Sequence, residues 1–332
     1  MDVVAPVSRR RFVAIISTAV LAAAHAAASQ GQKVPRIGFL GNSTAALEAN
    51  LVAPFREGLR EAGYIEGRNV VIDYRWAEGT YERFPALIAE LVALKVDVIV
   101  AAGTPAAVAV KKVAPATPLV MVAVGDPVGT GLVASLARPG GNLTGLVSIA
   151  PDLEGKRLEL LKEVVPKLTL VAFLVNPANP FHAVSETQAR AAATALNLKV
   201  QFAAVRAESE FDQAFAAIMS ERPGAFIMLA DRLFLHHRAR IVQFAARNHL
   251  PGIYAYRELV EAGGLMSFGP SYEAMHRRSA YYVDRILKGA KPGELPMEQP
   301  TQFQLIVNSK TAKELALTIP REVLIRAHQI IE

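Results

Sequence analysis

From Val34 onward the chain alternates between short apolar runs that end in Gly, Asn, Pro or Asp and longer stretches with apolar residues at helical spacing. The runs cover residues 36–41, 70–74, 96–103, 118–125, 170–175, 199–203, 225–230 and 252–254. Most are near-continuous β-branched or apolar segments, the pattern of parallel strands covered on both faces. Between the first runs, Leu51, Phe55, Leu59 and Ala62 share one helical face, and Leu87, Leu91 and Leu94 share another. Gly63 falls where a helix C′ residue belongs, just before Tyr64 and the turn Glu66-Gly67-Arg68-Asn69. Repeated βα units of this kind predict an α/β fold with doubly wound parallel sheets.

The units fall into two groups, one before about Gly145 and one after about Leu158, with the Pro- and Gly-rich stretch 138–145 between them as a crossover. A third segment, 263–300, contains a long helix from about Tyr272 to Leu287, which makes better sense as a return to the first group than as an appendage to the second. A length of 332 residues suits two lobes of about 100–200 residues each.

Before Val34 the pattern is different. Ser8-Arg9-Arg10-Arg11-Phe12 precedes an apolar run of twelve residues, Val13 to Ala24, which leads into Ala24-His25-Ala26-Ala27-Ala28. Basic, apolar and small-residue regions in that order predict a cleaved signal peptide over residues 1–28. The run is shorter than the ~18–20 residues a membrane-spanning helix needs. The Ser-Arg-Arg-x-Phe arrangement resembles the twin-arginine export signal, and an ordinary Sec leader with a basic start is the other reading.

The formal charge is +6, and cleavage after residue 28 removes three arginines and Asp2, leaving +4. No run of five basic residues occurs, so nucleic acid is not an expected partner. With 52% hydrophobic and 20% charged residues the chain buries a large core rather than remaining disordered. There is no cysteine, which excludes disulfides, Cys-ligated metals, thiol catalysis and a lipid anchor on an amino-terminal Cys.

In open α/β sheets the ligand crevice lies beyond the carboxyl ends of the strands. Those positions hold Gly41-Asn42-Ser43-Thr44, Gly103-Thr104-Pro105-Ala106, Gly125-Asp126-Pro127, Asn176-Pro177-Ala178-Asn179-Pro180 and Asp231-Arg232. Thr104 as N-cap with Pro105 at N1 would aim free helix N–H groups at an anion such as a carboxylate. Asp126 and Asp231, one per group, are placed to hold an ammonium, or else to serve as an Asp-Pro turn and a helix N-cap. Asn176 is a ligand contact or turn chemistry, and Tyr254 and Tyr256 are an aromatic wall or core packing. Trp76 reads as packing, and His236-His237 as a solvated helix face rather than a metal pair.

G-x-G-x-x-G after the first strand, G-x-x-x-x-G-K-[ST], G-x-S-x-G and H-E-x-x-H are all absent, which removes the usual support for dinucleotide, NTP, hydrolase and zincin readings. No cofactor or metal is expected.

Several stretches together resemble the ABC-transporter substrate-binding protein family that includes tryptophan/tyrosine-type members, on the type I periplasmic binding protein fold. They are residues 55–69 (FREGLREAGYIEGRN), 74–79 (YRWAEG), 125–128 (GDPV), 136–145 (LARPGGNLTG), 260–267 (VEAGGLMS) and 308–313 (NSKTAK). The resemblance implies two α/β lobes joined by three crossovers, the first lobe taking residues 34–146 plus about 265–295 and the second 147–264 plus about 296–332. It implies a periplasmic, monomeric protein that closes on a small ligand, an amino acid or related organic acid, and delivers it to a membrane permease. Ligand contacts carry over to Asn42, Ser43, Thr104, Ala106, Asp126, Asn176, Asp231 and Tyr256. The stretch 231–237 (DRLFLHH) departs from the Asp-Pro or similar short turn of many relatives. An effector-binding regulator would need a helix-turn-helix before the first strand, and an exported hydrolase a nucleophile-base pair, and neither is visible.

Overall fold

The computed structural model describes residues 33–148 and 153–332; the expected leader over residues 1–28 lies outside them. In the first lobe β1 (Arg36–Gly41), β2 (Val71–Trp76), β3 (Val98–Ala102), β4 (Leu119–Val124) and β5 (Leu143–Val147) form a sheet in the order β2-β1-β3-β4-β5, every neighbouring pair parallel. The connecting helices are α1 (Ala49–Glu61), α2 (Phe84–Ala93) and α3 (Thr104–Val113). β3 and β4 are buried along their whole length, which is why they read as unbroken apolar runs. Gly63 closes α1 as the spacing predicts. At φ +91° its N–H bonds Arg60 O, while Tyr64 N–H reaches back to Leu59 O, the paired bonds of a Schellman motif.

The second lobe comprises α4 (Leu153–Val164), β6 (Leu170–Val175), α5 (Pro180–Ala195), β7 (Lys199–Ala204), α6 (Phe211–Ser220), β8 (Ala225–Met228), α7 (Arg232–His236), α8 (Arg238–Arg247), β9 (Gly252–Tyr254), α9 (Arg257–Glu261) and β10 (Met266–Pro270). After α10 (Tyr272–Leu287) come β11 (Phe303–Asn308), α11 (Ser309–Glu314), α12 (Arg321–Arg326) and β12 (Gln329–Ile331), giving the sheet order β12-β11-β10-β9-β8-β6-β7. This sheet is mixed rather than wholly parallel. The chain leaves β10 at Pro270 and re-enters opposite it at Phe303, so β11 runs antiparallel to β10.

Between those strands α10 packs on α1 and the first sheet. It lies so close to α1 that a Cβ on Gly58 would stand 2.4 Å from Arg277 O. The structure departs from expectation at two places, one a lobe boundary and the other the extent of the 138–145 crossover. Met266–Pro270 stays in the second sheet, paired with β9 and β11, so the return starts at Ser271 and not near residue 265. Leu143–Val147 is strand and not crossover: Gly145, at φ +134°, allows the backbone to press against Met121 where the β4–β5 register shifts. The chain thus passes between lobes after β5, at Ser271, and between Glu298 and Phe303.

Beside these passages α4 holds a buried ion pair. Arg157 Nη1 donates to Glu154 Oε1 at 2.6 Å, and its Nε donates to Phe268 O at 2.9 Å, fastening the helix to β10. Among the described residues no helix is long and apolar enough to cross a membrane.

Candidate functional site

Strand ends from both lobes meet in one cleft, bounded by Gly103, Thr104 and Gly125 on one side and by Asn179, Asp231 and Arg232 on the other. Ser148 and Tyr272, beside two of the interlobe passages, line its back. The free volume is about 20 Å³, room for a single water. The lobes are shut on one another: Phe181 of the second lobe lies so near Gly125 of the first that a Cβ there would fall 2.3 Å from its ring.

Asp231 is the hub of the second-lobe side and is 1% exposed. Its Oδ1 accepts from Leu233 N at 3.0 Å, which makes it the N-cap of α7, and from Asn176 Nδ2 at 3.2 Å. Oδ2 accepts from Asn179 Nδ2 at 2.9 Å. Across the cleft, the Tyr81 hydroxyl donates to Oδ1 at 2.7 Å. Burial pushes that phenol far above its ordinary pKa, and Asp231 adds to the shift, so it stays a donor. His182 supports the loop from behind. Its Nδ1 accepts from Asn176 N at 2.7 Å, leaving Nε2–H to donate to Ala230 O at 3.1 Å.

On the first-lobe side, Asn42 and Ser43 offer backbone N–H groups to Glu48 Oε1, at 2.8 and 2.6 Å. Burial raises the Glu48 pKa, against the pull of Arg232 and those two N–H groups. Asn42 Nδ2 donates to Ala102 O, and its Oδ1 is buried without a partner. Ser43 Oγ lies 2.7 Å from His236 Nδ1 of the second lobe, while Asn50 Nδ2 donates to Glu258 Oε1 at 2.7 Å. His236 is therefore half-buried at the lobe junction, not on a solvated helix face, because α7 lays it against Gly79 and Ser43. Burial lowers its pKa.

Of the residues expected at the ligand, Thr104, Asp231 and Tyr256 line the cleft. Asn176 lies in the loop that brings Asn179 to the cleft and is spent on the bonds above; Asn42 and Ser43 are not part of its lining, and Asn42 Oδ1 stays without a partner. Thr104 is the first helical residue, with Gly103 at φ +83° as N-cap; its hydroxyl joins the two loops by accepting from Gly125 N at 3.1 Å. Ala106 does not reach the cleft. One turn into α3, it is fully buried beneath the first sheet with Ala107 and Val110. Asp126 is also displaced from the expected role: its carboxylate accepts from Gly129 N at 2.8 Å, capping the turn that Pro127 begins, and does not line the cleft. Trp76, partly buried, packs against the core beside Tyr74 and Phe39, and Tyr254 is buried in β9 of the second sheet.

Sequence reasoning gave no site role to Tyr81, Tyr272 or Arg232. The last is 4% exposed, with its guanidinium 5.2 Å from the Tyr256 ring centre and 5.1 Å from that of Tyr272. Burial opposes its charge, yet Tyr256, Glu48, Tyr272 and Glu258 raise its pKa overall. Neither Nη1 nor Nη2 has a hydrogen-bond partner. The available signal was its position directly after a strand end, in the one stretch that departs from the family pattern. Among the described residues no cluster of three or more His, Asp or Glu is placed to hold a metal.

This architecture has clear relatives. A tyrosine-binding protein of Clostridioides difficile (strain R20291) is 28% identical over 262 residues, 79% of this chain and 75% of the relative. A conserved domain protein from Vibrio cholerae O1 biovar El Tor superposes with a TM-score of 0.84 at 28% identity, covering 90% of this chain and 100% of that one. The ABC domain in complex with L-Trp from Streptococcus pneumonia gives 0.83 at 27% identity, covering 90% and 99%. Residues 44–331 match the sequence profile described as ABC transporter substrate binding protein, and with two α/β lobes meeting at such a cleft, the chain belongs to that family.

Proposed function

We propose that this protein is the exported solute-binding component of an ABC importer, periplasmic and monomeric, which closes its lobes around an amino acid or related small organic acid and presents it to a membrane permease. The observation that carries the reading is the cleft itself, where polar strand-end groups of two separately folded sheets converge and cross-lobe bonds such as Tyr81–Asp231 hold the lobes together. Closure of this kind is a hinge motion, favoured by any ligand that touches both lobes. Asn42, Ser43, Thr104, Asn176, Asp231 and Tyr256 are the groups assigned to ligand or to the loops that shape its site. The relatives described as binding tyrosine and in complex with L-Trp support an amino acid or a molecule of similar size.

The test is a thermal-shift screen with calorimetry over amino acids, aromatic acids and small carboxylates. A ligand at a hundred times its Kd should stabilise the protein by about 2.7 kcal/mol. A broad panel without any stabilisation overturns the reading. Cell fractionation with amino-terminal sequencing tests export, and an uncleaved cytoplasmic chain counts against it.

A further inference from the structure

Two features of the cleft differ in what they leave to satisfy. Arg232 is buried between two tyrosine rings and both of its terminal nitrogens lack an acceptor. A buried charge without hydrogen bonds is costly, and a guanidinium presents a flat pair of donors that matches one carboxylate. The protein's own nearby carboxylates are held off. Glu48 Oε1 is committed to the Asn42 and Ser43 N–H groups, and Glu258 Oε1 to Asn50; neither reaches the guanidinium.

Asp231 is the opposite case. It is the acid that line the cleft, and an ammonium would need it as acceptor. It already receives from Tyr81 Oη, Leu233 N, Asn176 Nδ2 and Asn179 Nδ2, which together occupy about the four lone-pair sites a carboxylate offers. The cleft therefore has open donors for an anion and a filled acceptor where a cation would go. Phe181, Tyr256 and Tyr272 supply aromatic surface around it.

We propose that Arg232 is the specificity-determining anchor of a ligand carboxylate, and that the cleft selects a net-anionic organic acid with an apolar or aromatic body over the zwitterionic amino acid bearing the same group. This rests on the reading of the cleft as the ligand site and narrows the ligand within it. The departure at residues 231–237 thereby acquires a role, since it is what brings an arginine to the strand end.

Matched pairs test it on the purified chain by calorimetry: indole-3-propionate against L-tryptophan, 3-(4-hydroxyphenyl)propionate against L-tyrosine, and 3-phenylpropionate against L-phenylalanine, each acid also against its amide. The acids should bind at least about 10-fold more tightly than their amino-acid or amide partners, the scale of a hydrogen bond to a charged group. R232Q should lose about 10- to 100-fold for the acids, and R232K should lose less, keeping charge without the paired donors. Circular dichroism and an unliganded melting curve establish whether each variant folds. If R232Q does not fold, the acid-amide comparison on the unaltered chain decides the question. Amino acids binding as tightly as their acids, amides matching acids, or a folded R232Q with unchanged affinity each overturn the charge selection. In the first of these cases the importer reading still stands, whereas a chain that binds neither acids nor amino acids overturns both.

Discussion

The Tyr81 hydroxyl donates to Asp231 Oδ1 at 2.7 Å, and its oxygen lies 3.2 Å from Leu233 N, so one side chain of the first lobe docks on the N-cap of a second-lobe helix. Asp231 keeps three other donors when this one is removed. Tyr81→Phe should therefore leave each lobe intact and loosen their closure, costing about 0.5–1.5 kcal/mol of the closed state. Small-angle scattering with ligand titration measures it: affinity falls by about 2- to 12-fold, the same energy expressed as a ratio, and the unliganded ensemble becomes more extended.

Gly125 provides a steric test of closure. A Cβ there would lie 2.3 Å from the Phe181 ring across the cleft, while its φ carries no strain that a side chain would worsen. Gly125→Ala should block full closure with little change in the stability of the lobes. Scattering in saturating ligand should show an expanded particle relative to the unaltered chain, and the companion Phe181→Ala should restore closure.

The Glu154–Arg157 pair is a stability test. Glu154→Ala strands a nearly inaccessible guanidinium that keeps its bond to Phe268 O but loses its paired carboxylate. A loss of about 3–5 kcal/mol is expected from removing one partner of a buried pair, read as a shifted denaturant midpoint. Replacing both residues together with apolar ones of similar size should cost less than Glu154→Ala alone.

His276 makes a pH test. Burial, reinforced by Arg232 nearby, lowers its pKa to about 3, while Nδ1–H donates to Tyr272 O and Nε2 is left without a partner. The unfolded chain takes up a proton near the ordinary histidine value and the native fold refuses it. Its contribution is therefore fully present above about pH 6.5 and is lost as pH falls toward 3, at about 1.4 kcal/mol per unit. The difference in unfolding free energy between the unaltered chain and His276→Gln, followed from pH 7 to 4, should carry that slope.

The strands were legible wherever both faces are covered. β3, β4 and β8 read as unbroken apolar runs because every position on them is buried, and β6 because all but its first residue, Leu170, is. β5 was hidden by Gly145, a residue that signals a loop and here permits a close backbone approach. β10 was hidden because Gly269 and Pro270 interrupt it, β12 because it has three residues, and β11 because its half-exposed start, Phe303-Gln304, leaves a short apolar run. The site was legible as a set of strand ends, which follows from sheet topology. Which side chains turn into the cleft was not, since this depends on local bonding: Thr104 turns to Gly125, Asp126 to Gly129, and Asp231 to four donors. Tyr81 and Tyr272 belong to elements whose position across the cleft is set by the lobe-lobe arrangement, and nothing local to them announces it.

The return of α10 to the first lobe has a consequence for how the chain is made. Glu57 and Arg277 pair across the α1–α10 contact although they are 220 positions apart. During synthesis the first lobe emerges early, yet the helix that covers α1 appears only when most of the chain is complete. Until then the side of α1 around Gly58, which meets Arg277 and Ala280, has no cover, although Phe55 already packs on Phe39 of the sheet, and contacts this distant in sequence form slowly. Truncation shortly before Ser271 would spare every strand of the first sheet and still leave that lobe unfinished, so Tyr272–Leu287 governs when the lobe from Arg36 to Val147 becomes native.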